Sequence, residues 1–295
     1  MIEAKIICHT QNPFCSDAQI YTVEYNAPRI ILAEINTHGV FAKSAASSRA
    51  IPVKKRIEMV NKQPFVPRAF GKNKKGMQAT ETLEGSDAAK AEEIWLIAVE
   101  MALLYAEEME EVSAHKQIAN RILEPYSYVK GVLTATEWDN FFKLRMSKEA
   151  QPEFEELAHA IHVAMKASTP KVDVMHLPYT DGVTIVVPDD LLKISAARCA
   201  RISYTSFEGK LSSPTDDITL CDTLLESGHM SPFQHQAYAD TLVRVDGESG
   251  EHKAYRWRFP EKHERFWGWI SQRSMMELEP KYRSRRDSFG TIWKT

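Results

Sequence analysis

The sequence predicts a single composite α/β domain. Three observations predict it. Stretches of β-type alternation near both ends of the chain, at residues 19–24 and 236–245, enclose a middle part with helical periodicity. The strongest of the helical stretches, 87–113, sets Ile94, Ile97, Ala98, Met101, Leu104, Tyr105 and Met109 at three- and four-residue spacing. No internal repeat or low-complexity linker divides the 295 residues, which suffice for a sizeable core.

Taken in order, residues 2–9 and 19–24 read as short strands. Pro28 suits the first turn of a helix, since it lacks the N–H that such a turn leaves unpaired. That helix, PRIILAEINTH, carries Glu34 and His38, with Gly39 as its C-cap. AKSAASSRAIP reads as a loop and VKKRIEMVNKQ as a short basic helix. Residues 64–86, broken by Pro64, Pro67, Gly71, Gly76 and Gly85, form an excursion whose Lys72, Lys74 and Lys75 suit a solvated loop better than an anion lid. Helices follow at 87–113, 114–122, 134–147 and 151–167, a strand at 183–187, helices at 188–203 and 215–228, and a strand at 236–245. The closing cluster ERFWGWISQRSMME reads as helical despite Gly268.

The chain has 37 basic and 40 acidic side chains, a net charge of −3 that argues against a broad nucleic-acid surface but permits a local anion pocket. The four cysteines are spread without a CxxC pair, so reduced thiols are expected, with Cys199 and Cys221 buried rather than reactive. Neither a leader-like segment nor an apolar run of about 20 residues is present, so a cytoplasmic protein without a membrane partner is expected. The ten histidines show no metal-site spacing, and no metal is expected.

Local chemistry leaves alternatives open. Ser47, Ser48 and Arg49 offer two hydroxyls and a guanidinium fork, a compact phosphate receptor, but taken alone they suit a turn cap before Pro52 better. Arg145 can pair with Glu149 one turn on. GHMSP can be a helix C-cap followed by a turn.

Four segments together resemble the flavin-dependent thymidylate synthases. In THGVFAKSAASSRA, His38, Ser47 and Arg49 fall on the histidine, second serine and last arginine of that family's RHR-x2-S-x-NE-x-S-x-RY signature, behind Ala27-Pro28. Thr37 and Gly39 replace its two flanking arginines, and Glu34 stands for a substrate-binding glutamine. RILEP matches through Arg121 and Pro125, and NFFKLRMSKEAQPEF through Asn140, Leu144, Arg145, Ala150, Gln151 and Glu153. ARCARISY and SGHMSPFQH match through Ser203, His229, Ser231, Pro232, Phe233 and His235. Asn140 and Arg145 stand about 140° apart on a helix, so they can address different ligands.

The resemblance implies the family's α/β fold, a mixed sheet with long helices, with its segments permuted. Residues 1–170 resemble its C-terminal part and 188–245 its N-terminal part, with 246–295 as an extension. QAYADTLVRV and IYTVEYNAP would then complete one strand from the two chain ends. Gln272 and Arg273 are candidates for the missing cation.

The implied reaction is transfer of a one-carbon unit from methylenetetrahydrofolate to C5 of a deoxypyrimidine monophosphate, dUMP to dTMP, with FAD and NADPH. By the same resemblance, Arg145 holds and polarises the pyrimidine, while Glu34, Ser47, Ser48, Arg49 and Arg121 bind the nucleotide. His38, Asn140, Ser203, His229 and Ser231 hold flavin, in a homotetramer with sites between subunits. Action on dCMP, hydroxymethylation, or a non-catalytic nucleotide sensor are the rival expectations.

Overall fold

Two long strands carry the architecture, β1 (Glu3–Asn12) and β2 (Cys15–Pro28), paired antiparallel across a tight connection. The structure is a computed structural model that describes residues 1–76, 78–79, 81–184, 187–204, 212–246 and 253–278. Asn12 fixes the connection: its Oδ1 accepts from the Phe14 N–H, and its Nδ2 donates to the carbonyls of Asp240 and Gly268. β3 (Ala42–Ala45), β4 (Tyr128–Ala135) and β5 (Lys171–Val172) complete a sheet of order β3-β4-β2-β1-β5. Only the β1–β5 pair is parallel, so the sheet is mixed, as expected.

The period-two alternation of β2 sorts the layers. Val23, Tyr25 and Ala27 join Val129, Leu133 and Ala135 of β4 on one face. There they pack on α1 (Leu32–Thr37), α5 (Asp139–Arg145) and α6 (Pro152–Lys166) through Ile35, Phe141, Phe154, Leu157 and Ile161. Thr22 and Thr134 point to the opposite face, which meets β6 (Met175–His176) and the segment after α8 through buried hydrogen bonds. α7 (Pro188–Tyr204) and α8 (Pro214–Glu226) lie in that second layer, tied by Asp217, which accepts from the Nε of both Arg198 and Arg201. Cys199 and Cys221 are buried here, and burial pushes both thiols up, Cys221 to about 12.

α2 (Val53–Lys62) and α3 (Gly85–Glu111) form a lateral pair over Val60, Val99, Ala102, Ala106 and Leu123, with the short α4 (Lys116–Ala119) beneath them. The described residues of the excursion between α2 and α3 are irregular as expected, with a Gly71–Thr82 bridge. Among the described residues no helix is long and apolar enough to cross a membrane.

Several local expectations are corrected. AKSAASSRAIP, expected as a loop, carries the strand β3 and a 3-10 turn at Ser48–Ala50. The helix expected at 134–147 begins only at Asp139, because Tyr128–Ala135 is a central strand; with six of its eight residues buried, it lacks the alternation that marks a half-exposed strand. His38, in extended conformation, caps α1 instead of Gly39. The 236–245 strand breaks at Asp240 into β7 (Ala237–Ala239) and β8 (Leu242–Asp246), because the Asp240 carboxylate takes the N–H groups of Thr241 and Phe259 and the His263 ring. β8 pairs with β9 (Lys253–Trp257), whereas β7 lies between β6 and β10 (Trp269–Ser271). β2 is thus complete in itself, and the strand expected from two chain ends is not formed. Gly268, at φ +80°, interrupts the expected C-terminal helix, leaving β10 and then α9 (Gln272–Leu278). The strand expected at 183–187 falls partly outside the described residues, and 183–184 are not in a strand.

Candidate nucleotide site

The segment NFFKLR folds as α5, and Phe141 and Arg145, four residues apart, share a helix face. Phe141 anchors that face in the core, which brings Arg145 to the end of α1. Arg145 donates from Nε to His38 Nε2 (2.9 Å) and approaches Glu34 Oε2 with Nη1 (3.4 Å), and its guanidinium lies 4.5 Å from the Phe154 ring centre. Glu34 thus takes the place of Glu149 as its acidic partner. His38 is buried among Phe41, Phe141 and Phe154. Burial, then the positive charges of Arg145 and Lys43, lower its pKa to about 4. The imidazole is therefore neutral at physiological pH, and an accepting Nε2 requires its proton on Nδ1.

A second cluster forms around Glu124. It accepts from Ser48 Oγ (2.5 Å), pairs with Arg29 Nε (3.0 Å) and receives two hydrogen bonds from Arg121 Nη1 (2.8 and 3.1 Å). Burial alone would raise the Glu124 pKa; the Ser48 hydrogen bond and the two arginines outweigh it and hold the carboxyl below its ordinary value. Arg56 is 1% exposed and its Nε has no hydrogen-bond partner. Burial and the nearby Arg29 charge lower it to about 10. Three guanidinium groups thus gather near one carboxylate, a surplus of positive charge beside a cleft of about 380 Å³ lined by Arg29, Leu32, Asn36 and Glu124. Ser47 caps the turn by accepting from the Arg49 N–H (3.3 Å), Ser48 is buried, and Arg49 is exposed.

The C-terminal half of the resemblance docks on the N-terminal half. Gln234 Nε2 donates to the Lys43 carbonyl (2.6 Å), and the ring of His235 bridges Ser44 Oγ and Thr134 Oγ1 (2.9 Å each). Thr134 continues to Thr22 (2.7 Å), Thr22 to His176 (2.7 Å), and His176 to Thr10 (2.8 Å). Burial lowers both histidines to about 3. His229 and Ser231 are exposed, and His229 meets Ser227 Oγ (2.9 Å). Ser203 lies in α7, and its side chain is outside the described residues.

The structure thus joins Glu34, His38 and Arg145 in one cluster, and Ser48 with Arg121 in another, while Asn140, His229 and Ser231 lie exposed outside both. Sequence reasoning missed Glu124, Arg29, Arg56 and Lys43. Arg29 directly follows the matched Ala27-Pro28, which was a usable signal. Lys43 donates to the carbonyls of Asn36 (2.8 Å) and His38 (2.9 Å), and the charge of Arg265 acts on it. Of the two candidates for the missing cation, Gln272 is buried and Arg273 is paired with Glu277 (3.0 Å).

The family model described as "Thymidylate synthase complementing protein" matches residues 17–171. That is more than half of the chain, which belongs to this family. No curated protein matches. Among solved structures, the chain is similar to a UMP/dUMP methylase PolB from Streptomyces cacaoi bound with 5-Br UMP, at 15% identity and a TM-score of 0.46 over 57% of this chain and 89% of that one. A second structure of that methylase, bound with 5-Br dUMP, matches at 16% identity and a TM-score of 0.40 over 52% and 69%.

Proposed function

We propose that this member of the thymidylate synthase complementing family transfers a one-carbon unit from methylenetetrahydrofolate to C5 of dUMP. The new carbon bond replaces the C5 proton, tetrahydrofolate leaves, and the product is dTMP. Flavin, when bound, supplies the two electrons that complete the methyl group, and NADPH restores them.

The Arg145 cluster carries the reading. A guanidinium with one neutral neighbour, His38, and one carboxylate at 3.4 Å retains donors for an anionic pyrimidine. Stabilising that anion makes C5 nucleophilic without a cysteine, which suits the buried, raised thiols of Cys199 and Cys221. Glu34, beside Arg145, meets the nucleotide with it, and Ser47, Ser48, Arg49 and Arg121 take the phosphate. In the free protein Glu124 takes the Ser48 and Arg121 donors, so the phosphate competes with its carboxylate for them.

The donor set also suits a flavin. Lys43, with Arg265 acting on it, brings positive charge beside His38 where Thr37 and Gly39 supply none. His38, Asn140, Ser203, His229 and Ser231 would hold the cofactor. Assembly as a homotetramer with sites between subunits, a permuted segment order and a cytoplasmic location belong to the same proposal. One observation favours a second substrate, dCMP: the Glu34 carboxylate beside Arg145 is an acceptor suited to a 4-amino group.

The test begins with absorbance after FAD reconstitution, followed by product analysis with dUMP and dCMP in the presence of the folate donor and NADPH. A flavin band and dTMP are expected, and failure to retain flavin would overturn the enzyme reading. Arg145→Ala should weaken nucleotide binding by roughly 10- to 100-fold, the loss of charge-assisted hydrogen bonds, while flavin stays bound. Unchanged nucleotide affinity would remove Arg145 from the site.

A further inference from the structure

α3 is apolar on two sides. Val99, Ala102 and Ala106 face α2 and the body of the molecule. On the other side Ile94, Ile97, Met101 and Leu104 are 40–58% exposed. With Lys90 and Glu108, both exposed, they follow one another at alternating steps of four and three residues, the a/d seam of a coiled coil. A monomer gains nothing from such a stripe, about 27 Å long at the helical rise.

We propose that α3 is a self-association surface, on which the α3 of a second copy of this chain packs antiparallel about a twofold axis at residue 99. This deepens the assembly part of the proposed function and rests on it only in that the protein self-associates. The charges fix the direction. Antiparallel packing about residue 99 sets Ile97 against the partner's Met101, Ile94 against the partner's Leu104, and Lys90 against the partner's Glu108. Parallel packing would oppose lysine to lysine and glutamate to glutamate. The surface is isologous, as a twofold interface requires.

The two borders of the stripe differ. Ala91, Ala98 and Tyr105 form one, where the two alanines let the backbones approach, while Glu93, Glu100 and Glu107 form the other. The seam is therefore centred toward the alanine border, with Glu100 and Glu107 in water and Glu93 paired to Lys90 of its own helix (2.8 Å). Those glutamates also disfavour an anionic membrane surface or a nucleic acid as the occupant.

Sedimentation analysis of the full chain tests this. Lys90→Glu and Glu108→Lys should each weaken self-association about tenfold, because each turns two attractive pairs into like-charge pairs; the double variant should restore it. Introducing Ile97→Cys with Met101→Cys should give an intermolecular 97–101 disulfide under mild oxidation, mapped by peptide analysis. Either cysteine alone should give no disulfide at its position. A protein monomeric throughout would overturn both self-association and the α3 surface. An oligomer that keeps its affinity in both single variants and forms no 97–101 cross-link would overturn the α3 surface alone.

Discussion

Glu124 has three partners of two kinds, a serine hydroxyl and two guanidinium groups, and this makes its effect on folding and on ligand binding opposite in sign. Replacing it with glutamine keeps the shape and removes the charge. Glu124→Gln should lower stability by about 1–3 kcal/mol in urea titrations, since Arg29 and the buried Arg56 lose their nearest negative charge. The same change should tighten inorganic phosphate severalfold by freeing Ser48 and Arg121. Weaker phosphate binding would mean that Glu124 orients those donors rather than competing for them. The residue also shows a limit of local reading. Ser48 and Arg121 are recognisable in the sequence because each falls on a matched motif position; Glu124 lies inside the same RILEP segment, three residues from Arg121, but its link to Ser48, 76 residues away, is made only by the fold.

At the scale of elements, the long helices are legible because one face of each repeats with helical period; α3 and α6 fall within two residues of their expected ends. β4 is not legible, and Gly131 shows what that strand demands. Opposite it in register stands Tyr25, and a Cβ at 131 would fall 2.4 Å from the tyrosine ring. The aromatic thus lies across the glycine and closes the sheet against the helices. Gly131→Ala must displace a fully packed ring and should cost about 1–3 kcal/mol, with a loss of near-UV circular dichroism from Tyr25. A neutral result would show that the ring can turn aside within the core. The break of the 236–245 strand at Asp240 escaped sequence reading for a related reason: the groups that hold its carboxylate, at Phe259 and His263, come from a later part of the chain.

At the scale of the whole molecule, the two layers meet through imidazoles that must stay neutral. His176 and His235 stitch β1, β2, β3 and β4 to the second layer through Thr10, Thr22, Thr134 and Ser44, and His38 accepts from Arg145 on the far face of the sheet. Their folded pKa values, about 4 for His38 and about 3 for the other two, lie below the unfolded value of 6.5. The unfolded chain therefore binds more protons throughout the interval between those values. Stability is complete above pH 6.5 and falls as pH drops toward 4, each histidine contributing about 1.4 kcal/mol per pH unit. Glu24, Glu124 and Asp173, held below their ordinary values, extend the loss to lower pH still. Urea midpoints should hence decline steadily from pH 7 to pH 4.5. His235→Asn, which can meet Ser44 or Thr134 without titrating, should lower the midpoint at pH 7 and flatten its decline. An equal slope in the variant would mean that His235 is not held neutral, and that the join between the layers does not carry the acid sensitivity.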